Sequence, residues 1–261
     1  MATERVFVGV DLGGTSLTAA VVAADGRVLG KVKHKTRAAR GVDDVIARLA
    51  SAVREAMVAA SVGQGGVAGV GVGVPGPLDA SAGVVHRCPN LGPGWEELPL
   101  AERLGEALGL PVAIENDVKV GAVGEHTYGA GQGAQDMMAI FVGTGIGGGL
   151  ILDGRLRAGA RNSAGEVGHM VLLPDGPLCG CGQRGHAEAL ASRTAIERDV
   201  REAMRGGRPS MAAELLGANQ ARPMTANIIG QALERGDAVV AEAVQRAQRY
   251  LGLLVSACVN L

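Results

Sequence analysis

Residues 5–15 read Arg-Val-Phe-Val-Gly-Val-Asp-Leu-Gly-Gly-Thr, an apolar segment that leads into a carboxylate, two glycines and a hydroxyl. The apolar run from Arg5 to Val10 predicts a buried strand, and Leu17 to Ala23 predicts a second one. Asp25-Gly26 is typical of a two-residue hairpin turn, so Arg27 to Lys35 is predicted to return alongside the second strand. The chain is therefore predicted to begin with a three-stranded meander whose first turn is rich in glycine.

A similar pattern starts again near Met137. An apolar strand over 137–142 is followed by a glycine-rich stretch, another short strand over 150–152 and the hairpin dipeptide Asp153-Gly154. Helical spacing separates the two patterns, and from Ala187 onward the chain is predicted to be mostly helical, with a final helix running to the last residue. This near repetition predicts an α/β fold of two related domains, 1–117 and 118–261, with a cleft between them.

Composition restricts the function classes. The 261 residues are 47% hydrophobic and 20% charged, with a net charge of -1 and only 2% aromatic residues. Such a chain lacks the basic surface and stacking side chains typical of nucleic-acid binding. We expect no membrane span, since no apolar run reaches about 18 residues. With no evident signal peptide and four cysteines that form no disulfide framework, the expected compartment is the cytoplasm.

The first glycine turn suits a phosphate group. Gly13 and Gly14 let backbone N–H groups approach phosphate oxygens, and Thr15 adds a hydroxyl donor. Asp11 is expected to reach a Mg²⁺ ion through water. The alternative is an ordinary β-turn between two strands, and the stretch taken alone favours that interpretation.

The second glycine stretch, Gly143-Thr144-Gly145-Ile146-Gly147-Gly148-Gly149, formally matches a dinucleotide-binding pattern. That pattern requires a helix immediately afterwards, whereas an apolar strand follows here, so we reject the dinucleotide fold. One strand–glycine–strand loop in each domain instead predicts a nucleotide held between them. The predicted contacts in this loop are Gly143, Thr144, Gly145, Gly147 and Gly148.

Glu115-Asn116-Asp117 follows a predicted buried strand that starts at Pro111. Transfer of a phosphoryl group to a sugar hydroxyl needs a carboxylate within hydrogen-bond reach of that hydroxyl. Asp117 is the predicted base, and Asn116 can bind neighbouring hydroxyls as donor and acceptor. The alternative is that Asp117 only caps the helix predicted from Val118, and the two roles are compatible.

A cluster of cysteines and histidines lies in a short glycine-rich span. Its members are His169, Cys179, Cys181 and His186. Two cysteines and two histidines complete the tetrahedral ligand set of a structural Zn²⁺ site. Glu166 and Glu188 would then be held close to a polyol as hydroxyl acceptors. The alternative is a pair of buried thiols with two surface histidines.

Six motifs in this order resemble the ROK family (repressors, open reading frames and kinases), nearest its bacterial glucokinases, over essentially the whole chain. They are Asp11-Leu12-Gly13-Gly14-Thr15, Gly73-Val74-Pro75-Gly76-Pro77, Glu115-Asn116-Asp117, Gly143-Thr144-Gly145-Ile146-Gly147-Gly148-Gly149, Gly165-Glu166-Val167-Gly168-His169 and Cys179-Gly180-Cys181-Gly182. The resemblance implies two actin-like (ribonuclease H-like) domains flanking a cleft, and a homodimer. It implies ATP-dependent conversion of a hexose, D-glucose first, to its 6-phosphate, with Mg²⁺ and a structural Zn²⁺.

The resemblance also implies residue roles. Asp117 would be the base on the sugar 6-hydroxyl, and Gly76 would lie in the loop beneath the sugar. The residues implied to hold the other hydroxyls are Asn116, Glu166, His169 and Glu188. The implied zinc ligands are His169, Cys179, Cys181 and His186, so that His169 would contact both metal and sugar.

The chain departs from the family pattern at several points. His186 stands where a third zinc cysteine is usual, Ser16 replaces a lysine, and Lys119 replaces an asparagine two residues after the base. The resemblance also implies that the C-terminal segment of the family is missing after Leu261. Alternative functions are kinases for N-acetylmannosamine, N-acetylglucosamine or fructose, a polyphosphate-dependent kinase, a sugar-responsive regulator and an inactive relic.

Overall fold

A computed structural model of the chain describes residues 5–260, with alternating strands and helices. The strands are β1 (Val6–Leu12), β2 (Ser16–Val22), β3 (Val28–Lys35), β4 (Val67–Val74), β5 (Leu78–Asp79), β6 (Val84–Val85), β7 (Val112–Asn116), β8 (Met137–Val142), β9 (Ile146–Leu152) and β10 (Arg155–Leu156). The helices are α1 (Val42–Ala59), α2 (Leu100–Leu108), α3 (Asp117–Tyr128), α4 (Ala187–Ala191), α5 (Arg193–Arg205), α6 (Met211–Leu216), α7 (Ala226–Glu234) and α8 (Ala238–Val259). None of these helices combines the length and apolar character that a bilayer crossing requires.

The larger sheet has five strands in the order β3-β2-β1-β4-β7. The meander β1–β2–β3 is antiparallel, as predicted, whereas β4 and β7 run parallel to β1. Alternate residues of β1 are buried, which gives the sheet a core face on which α1 and α2 pack. The carboxyl end of β7 therefore lies two strands from the end of β1, at the same edge of the sheet. The predicted α/β class is confirmed.

The second sheet has the order β10-β9-β8, and it corrects one expectation. The glycine stretch is not a loop over its whole length: Gly147, Gly148 and Gly149 lie within β9, and only Gly143–Gly145 form the turn. A Cβ on Gly148 would lie 2.5 Å from the carbonyl oxygen of Gly165. These glycines therefore allow close packing of the backbone as well as close approach of a ligand.

The chain divides into two compact units. The first contains the described residues up to Met137 together with Leu150–Ala164, and the second contains Met138–Gly149 and the described residues from Gly165 onward. In this division α3 belongs to the first unit, whereas the predicted boundary after Asp117 assigned it to the second domain. That boundary stays a prediction.

The helices of the second unit bury a core of their own. Val200, Met224 and Val240 belong to one fully buried cluster, and Leu254 of α8 belongs to a second cluster with Ile146. Helix α8 ends at Val259, and the last residue of the predicted final helix, Leu261, lies outside the described residues.

Candidate functional site

The junction of β7 and α3 presents Asp117 at the start of a helix. Asn116 is the N-cap, because its Oδ1 accepts hydrogen bonds from the N–H groups of Val118 (3.1 Å) and Lys119 (3.2 Å). One oxygen of Asp117 also accepts from Val118, at 2.9 Å, while its other oxygen, Oδ2, accepts no hydrogen bond from the described residues. The capping role therefore belongs mainly to Asn116, and one carboxylate oxygen of Asp117 stays free for a ligand.

The electrostatics of this junction strengthen Asp117 as a base. Burial raises the pKa of Asp117, and the negative charge of Asp11 raises it further, against the lowering effect of the Val118 N–H group. Both carboxylates line one groove of about 540 Å³ on the open face of the large sheet. A carboxylate with a raised pKa holds a transferred proton more firmly than a free aspartate does.

The loop at Pro75–Gly76 is fixed from two sides. Asn116 Nδ2 donates to the carbonyl oxygen of Gly76 at 3.4 Å, and the thiol of Cys88 donates to that of Pro75 at 3.0 Å. Burial and the charge of Asp117 raise the pKa of Cys88 to about 12, so the thiol keeps its proton and acts as a donor. Gly76 has φ = 97°, a conformation that favours glycine.

The turn between β1 and β2 leaves backbone donors available. Gly13 N–H donates to Ser16 at 3.0 Å, and the fully buried Thr36 fixes the turn by donating its hydroxyl to the Gly13 carbonyl at 2.6 Å. The N–H groups of Gly14 and Thr15 donate to none of the described residues. Two unpaired N–H groups in a glycine turn are suited to anionic oxygens.

The second turn, Gly143–Gly145, is held by the start of α5. Arg193 N–H donates to the Gly143 carbonyl at 2.9 Å, and its guanidinium donates to the Thr144 hydroxyl at 2.9 Å. Thr194 donates its hydroxyl to the Thr144 carbonyl at 2.6 Å. The positive charge of Arg193 therefore lies directly beside this predicted phosphate loop.

The predicted cysteine–histidine cluster assembles in the second unit. One ligand atom from each of His169, Cys179, Cys181 and His186 can be chosen so that all four lie within 4.8 Å of one another. The Nδ1 atoms of the two histidines are 3.3 Å apart. Cys181 Sγ lies 3.2 Å from Nδ1 of His186, and Cys179 Sγ lies 3.8 Å from Nδ1 of His169.

These separations fit a tetrahedral ion. Zn–N and Zn–S bonds of about 2.0 and 2.3 Å imply separations between tetrahedral ligand atoms of about 3.3–3.8 Å. Burial raises the pKa of Cys179 to about 11, so metal binding would displace the thiol proton. Nδ1 of His169 faces the other ligand atoms, and its Nε2 lies 4.0 Å from the Glu166 carboxylate, beyond hydrogen-bond distance.

Glu188 connects the cysteine–histidine cluster with the second glycine turn, Gly143–Gly145. Its Oε2 accepts a hydrogen bond from Ile146 N–H at 2.9 Å, and its Oε1 faces the thiol of Cys179 at 3.5 Å. A Cβ on Gly145 would lie 2.2 Å from the same Oε2, so glycine makes room for this carboxylate.

The predicted residues form two groups, one in each unit. The first unit holds Asp11, Gly13, Gly14, Thr15, Gly76, Asn116 and Asp117, and the second holds Gly143, Thr144, Gly145, Gly147, Gly148, Glu166, His169, Cys179, Cys181, His186 and Glu188.

Sequence reasoning missed Thr36, Cys88 and Arg193, which fix these loops through hydrogen bonds over long sequence separations. Of these three, only Arg193 could have been noticed in the sequence. It lies at the beginning of a helix, where a positive charge gains nothing from the helix dipole, and this indicates a role other than helix stability.

Known proteins are similar to this chain over most of its length. A family model described as "ROK family" matches residues 7–261. The chain is 41% identical over 212 residues to a glucokinase of Thermotoga maritima, an alignment that covers 81% of this chain and 65% of that protein. The chain thus spans somewhat less than two thirds of that relative.

Two solved structures are also similar. A ROK family glucokinase from Streptomyces griseus, in complex with glucose and AMPPNP, has a TM-score of 0.80 and 34% identity, covering 98% of this chain and 79% of that one. A ROK family transcriptional regulator homologous to the Escherichia coli MLC protein has a TM-score of 0.80 and 30% identity, covering 98% and 63%. The structural neighbours that are ROK sugar kinases have the actin-like fold. The chain belongs to the ROK family.

Proposed function

We propose that the protein is an ATP-dependent hexose kinase, with D-glucose as its leading acceptor and glucose 6-phosphate as product. The observation that carries this proposal is Asp117, which is half-buried, has a raised pKa and keeps one oxygen free at the helix start. The similarity to glucokinases supports the same reaction class.

In the proposed reaction, Asp117 accepts the proton of the sugar 6-hydroxyl as the hydroxyl oxygen attacks the γ-phosphorus of ATP. The bond from that phosphorus to the bridging oxygen breaks, and ADP leaves. The residues proposed to hold the remaining hydroxyls are Asn116, Glu166, His169 and Glu188, with Gly76 beneath the sugar.

Backbone groups are proposed to bind the phosphates. The free N–H groups of Gly14 and Thr15 support this role in the first unit. In the second unit the support is the Thr144 turn with Arg193 beside it. Mg²⁺ bound with ATP would neutralise phosphate charge, and Asp11 is the residue proposed to hold it through water.

We also propose that His169, Cys179, Cys181 and His186 hold one structural zinc ion. Imidazole nitrogen serves zinc as well as thiolate does, so His186 can replace the third cysteine usual in the family. The Nδ1 atom of His169 would ligate the metal, which leaves its Nε2 atom to face Glu166 and the sugar. Zinc would thereby fix residues that bind the acceptor.

A sugar-responsive regulator is the second candidate, favoured by the similarity to the MLC-type regulator. Such a protein would bind the sugar without phosphoryl transfer. The two functions are separated by measuring ADP release with ATP and Mg²⁺ across glucose, N-acetylmannosamine, N-acetylglucosamine, fructose and allose, with sugar binding measured in parallel. Turnover of glucose would support the proposal, and binding of a sugar without turnover of any would refute it in favour of the regulator.

A further inference from the structure

Lys119 differs from every other lysine of the chain. Lys31, Lys33 and Lys35 are exposed on β3, whereas Lys119, in the first turn of α3, has 0% of its surface exposed. A buried ammonium group is costly unless it is paired or fully hydrogen-bonded. Within residues 5–260, no carboxylate lies within ion-pair distance of it, so its partners must be neutral dipoles.

Those partners belong to one residue of a distant loop. Nζ of Lys119 donates to the backbone carbonyl of Asn162 at 2.6 Å and to its side-chain Oδ1 at 2.8 Å. Asn162 in turn donates its Nδ2 to the carbonyl oxygen of Leu78 at 2.8 Å. Asn162 has φ = 54°, a left-handed conformation in which asparagine is one of the better tolerated residues.

This chain of hydrogen bonds joins three parts of the first unit. Lys119 lies two residues after Asp117 in the same helix, and Leu78 lies two residues after Gly76. The loop 158–162 closes a cavity of about 490 Å³ against the β5 region. Besides Asn162, polar and charged residues line this cavity, namely Asp79, Ser81, His86, Glu115 and Arg161.

We propose that Lys119 is a positioning residue for the acceptor sugar, which holds the loop 158–162 and the Gly76–Leu78 segment in fixed register with Asp117. The proposal rests on the proposed kinase function for the identity of the acceptor. It gives this lysine a role at a position where the family usually has asparagine, since an ammonium group on a long side chain donates to both oxygens of Asn162 while the Cα of Lys119 stays in α3.

The experiment uses three variants of the full chain. Lys119→Met removes the ammonium group but keeps the length of the side chain, and Lys33→Met is the matched control on the exposed β3. Asn162→Gly accepts the left-handed backbone and removes the Asn162 side chain, so it tests the same link if Lys119→Met fails to fold. Each variant is measured for acceptor KM, ATP KM and kcat, and for the rate at which trypsin cleaves after the exposed Arg161.

Lys119→Met is expected to raise the acceptor KM about tenfold, equivalent to about 1.4 kcal/mol. The ATP KM should stay unchanged, because the described links of Lys119 are to Asn162 and not to the phosphate turns. Cleavage after Arg161 should become faster in Lys119→Met and in Asn162→Gly, and stay at the wild-type rate in Lys33→Met.

An unchanged acceptor KM in Lys119→Met would overturn the proposal, whether or not the loop becomes more accessible to trypsin. Equal increases in the KM values of acceptor and ATP would also overturn it, since they indicate general damage. If the wild-type protein phosphorylates no hexose, the proposed function fails, and sugar binding then replaces KM as the acceptor measurement. Faster cleavage with unaltered sugar binding would in that case leave Lys119 a purely structural residue.

Discussion

Replacing Asp117 by asparagine tests the proposed base directly. Asparagine has nearly the same shape and keeps an oxygen for the Val118 N–H group, which Asp117 accepts at 2.9 Å. The β7–α3 junction should therefore keep its geometry, and the acceptor should still bind. Loss of a general base lowers kcat by about 10²–10⁴-fold, or about 3–5 kcal/mol in the barrier. We expect the upper part of this range, because burial and Asp11 make this carboxylate a stronger base than a free one.

The raised pKa of Asp117 also fixes the sign of two pH effects. The carboxylate must be ionised to accept a proton, so kcat/KM for the acceptor should fall as pH falls through a pKa above the ordinary value of about 3.9. Removing the charge of Asp11 by substitution to asparagine should move this limb to lower pH. For stability, a raised folded-state pKa means that ionised Asp117 is destabilising at neutral pH, and that this penalty disappears as pH falls through the folded-state pKa.

Asp117→Asn should consequently raise Tm at pH 7 while lowering kcat by about 10⁴-fold. ADP release by a coupled assay, acceptor binding by calorimetry and Tm by scanning calorimetry separate the two effects. An inactive variant with a higher Tm cannot owe its inactivity to unfolding. Turnover within about tenfold of wild type, well short of the loss expected for a general base, would exclude Asp117 from the role.

Three further predictions concern zinc, the second turn and stability. Purified protein should contain about one zinc ion per chain by elemental analysis, and the Cys179→Ser, Cys181→Ser double variant should contain none; zinc-free wild-type protein would contradict the site. Gly145→Ala places a Cβ 2.2 Å from the position of Glu188 Oε2, so the hydrogen bond from Ile146 N–H should break and the ATP KM should rise about tenfold. Gly252→Ala, whose Cβ meets no atom within 4 Å, should leave the ATP KM unchanged. Asp237→Ala should lower the free energy of unfolding by about 2–4 kcal/mol, because the carboxylate caps α8 and accepts from Ser210 at 2.6 Å. Burial alone would raise the pKa of Asp237, but these hydrogen bonds lower it overall. The stabilisation should therefore be present above about pH 4 and be lost as pH falls through the lowered folded-state pKa. Denaturant titrations in which wild type and variant differ equally at all pH values would contradict this.

The regular elements were predictable where the pattern had one interpretation. The apolar run of β1 and the Asp25-Gly26 turn both follow from local sequence, and β1, β2 and β3 lie within two residues of their predicted ranges. The glycines 147–149 were ambiguous, because glycine allows both a ligand-binding loop and a strand with a close neighbour. The decisive neighbour, Gly165, is distant in sequence.

In the candidate site, too, some features could be predicted from the sequence and others could not. The four residues of the cysteine–histidine cluster could be named from their types and close spacing, and the structure brings their ligand atoms together. The links of Lys119 to Asn162 and of Cys88 to Pro75 could not be predicted, because they depend on the packing of loops that are 43 and 13 residues away. A buried lysine and an exposed one are indistinguishable in a single sequence.

Because Asn116 directly precedes Asp117, the start of the helix can hold a base without lowering its proton affinity. The first turn of a helix has free N–H groups that favour a carboxylate, and full use of them would lower its pKa and occupy both of its oxygens. Here the neutral side chain of Asn116 accepts from the N–H groups of Lys119 and Val118. Asp117 therefore accepts a hydrogen bond from only one N–H group of the helix start, that of Val118. Burial and Asp11 then outweigh that single bond, and the pKa rises instead of falling. A neutral cap directly before the acid thus permits a rigid helical position for the base while keeping its proton affinity, which an acid at the cap position itself would lose.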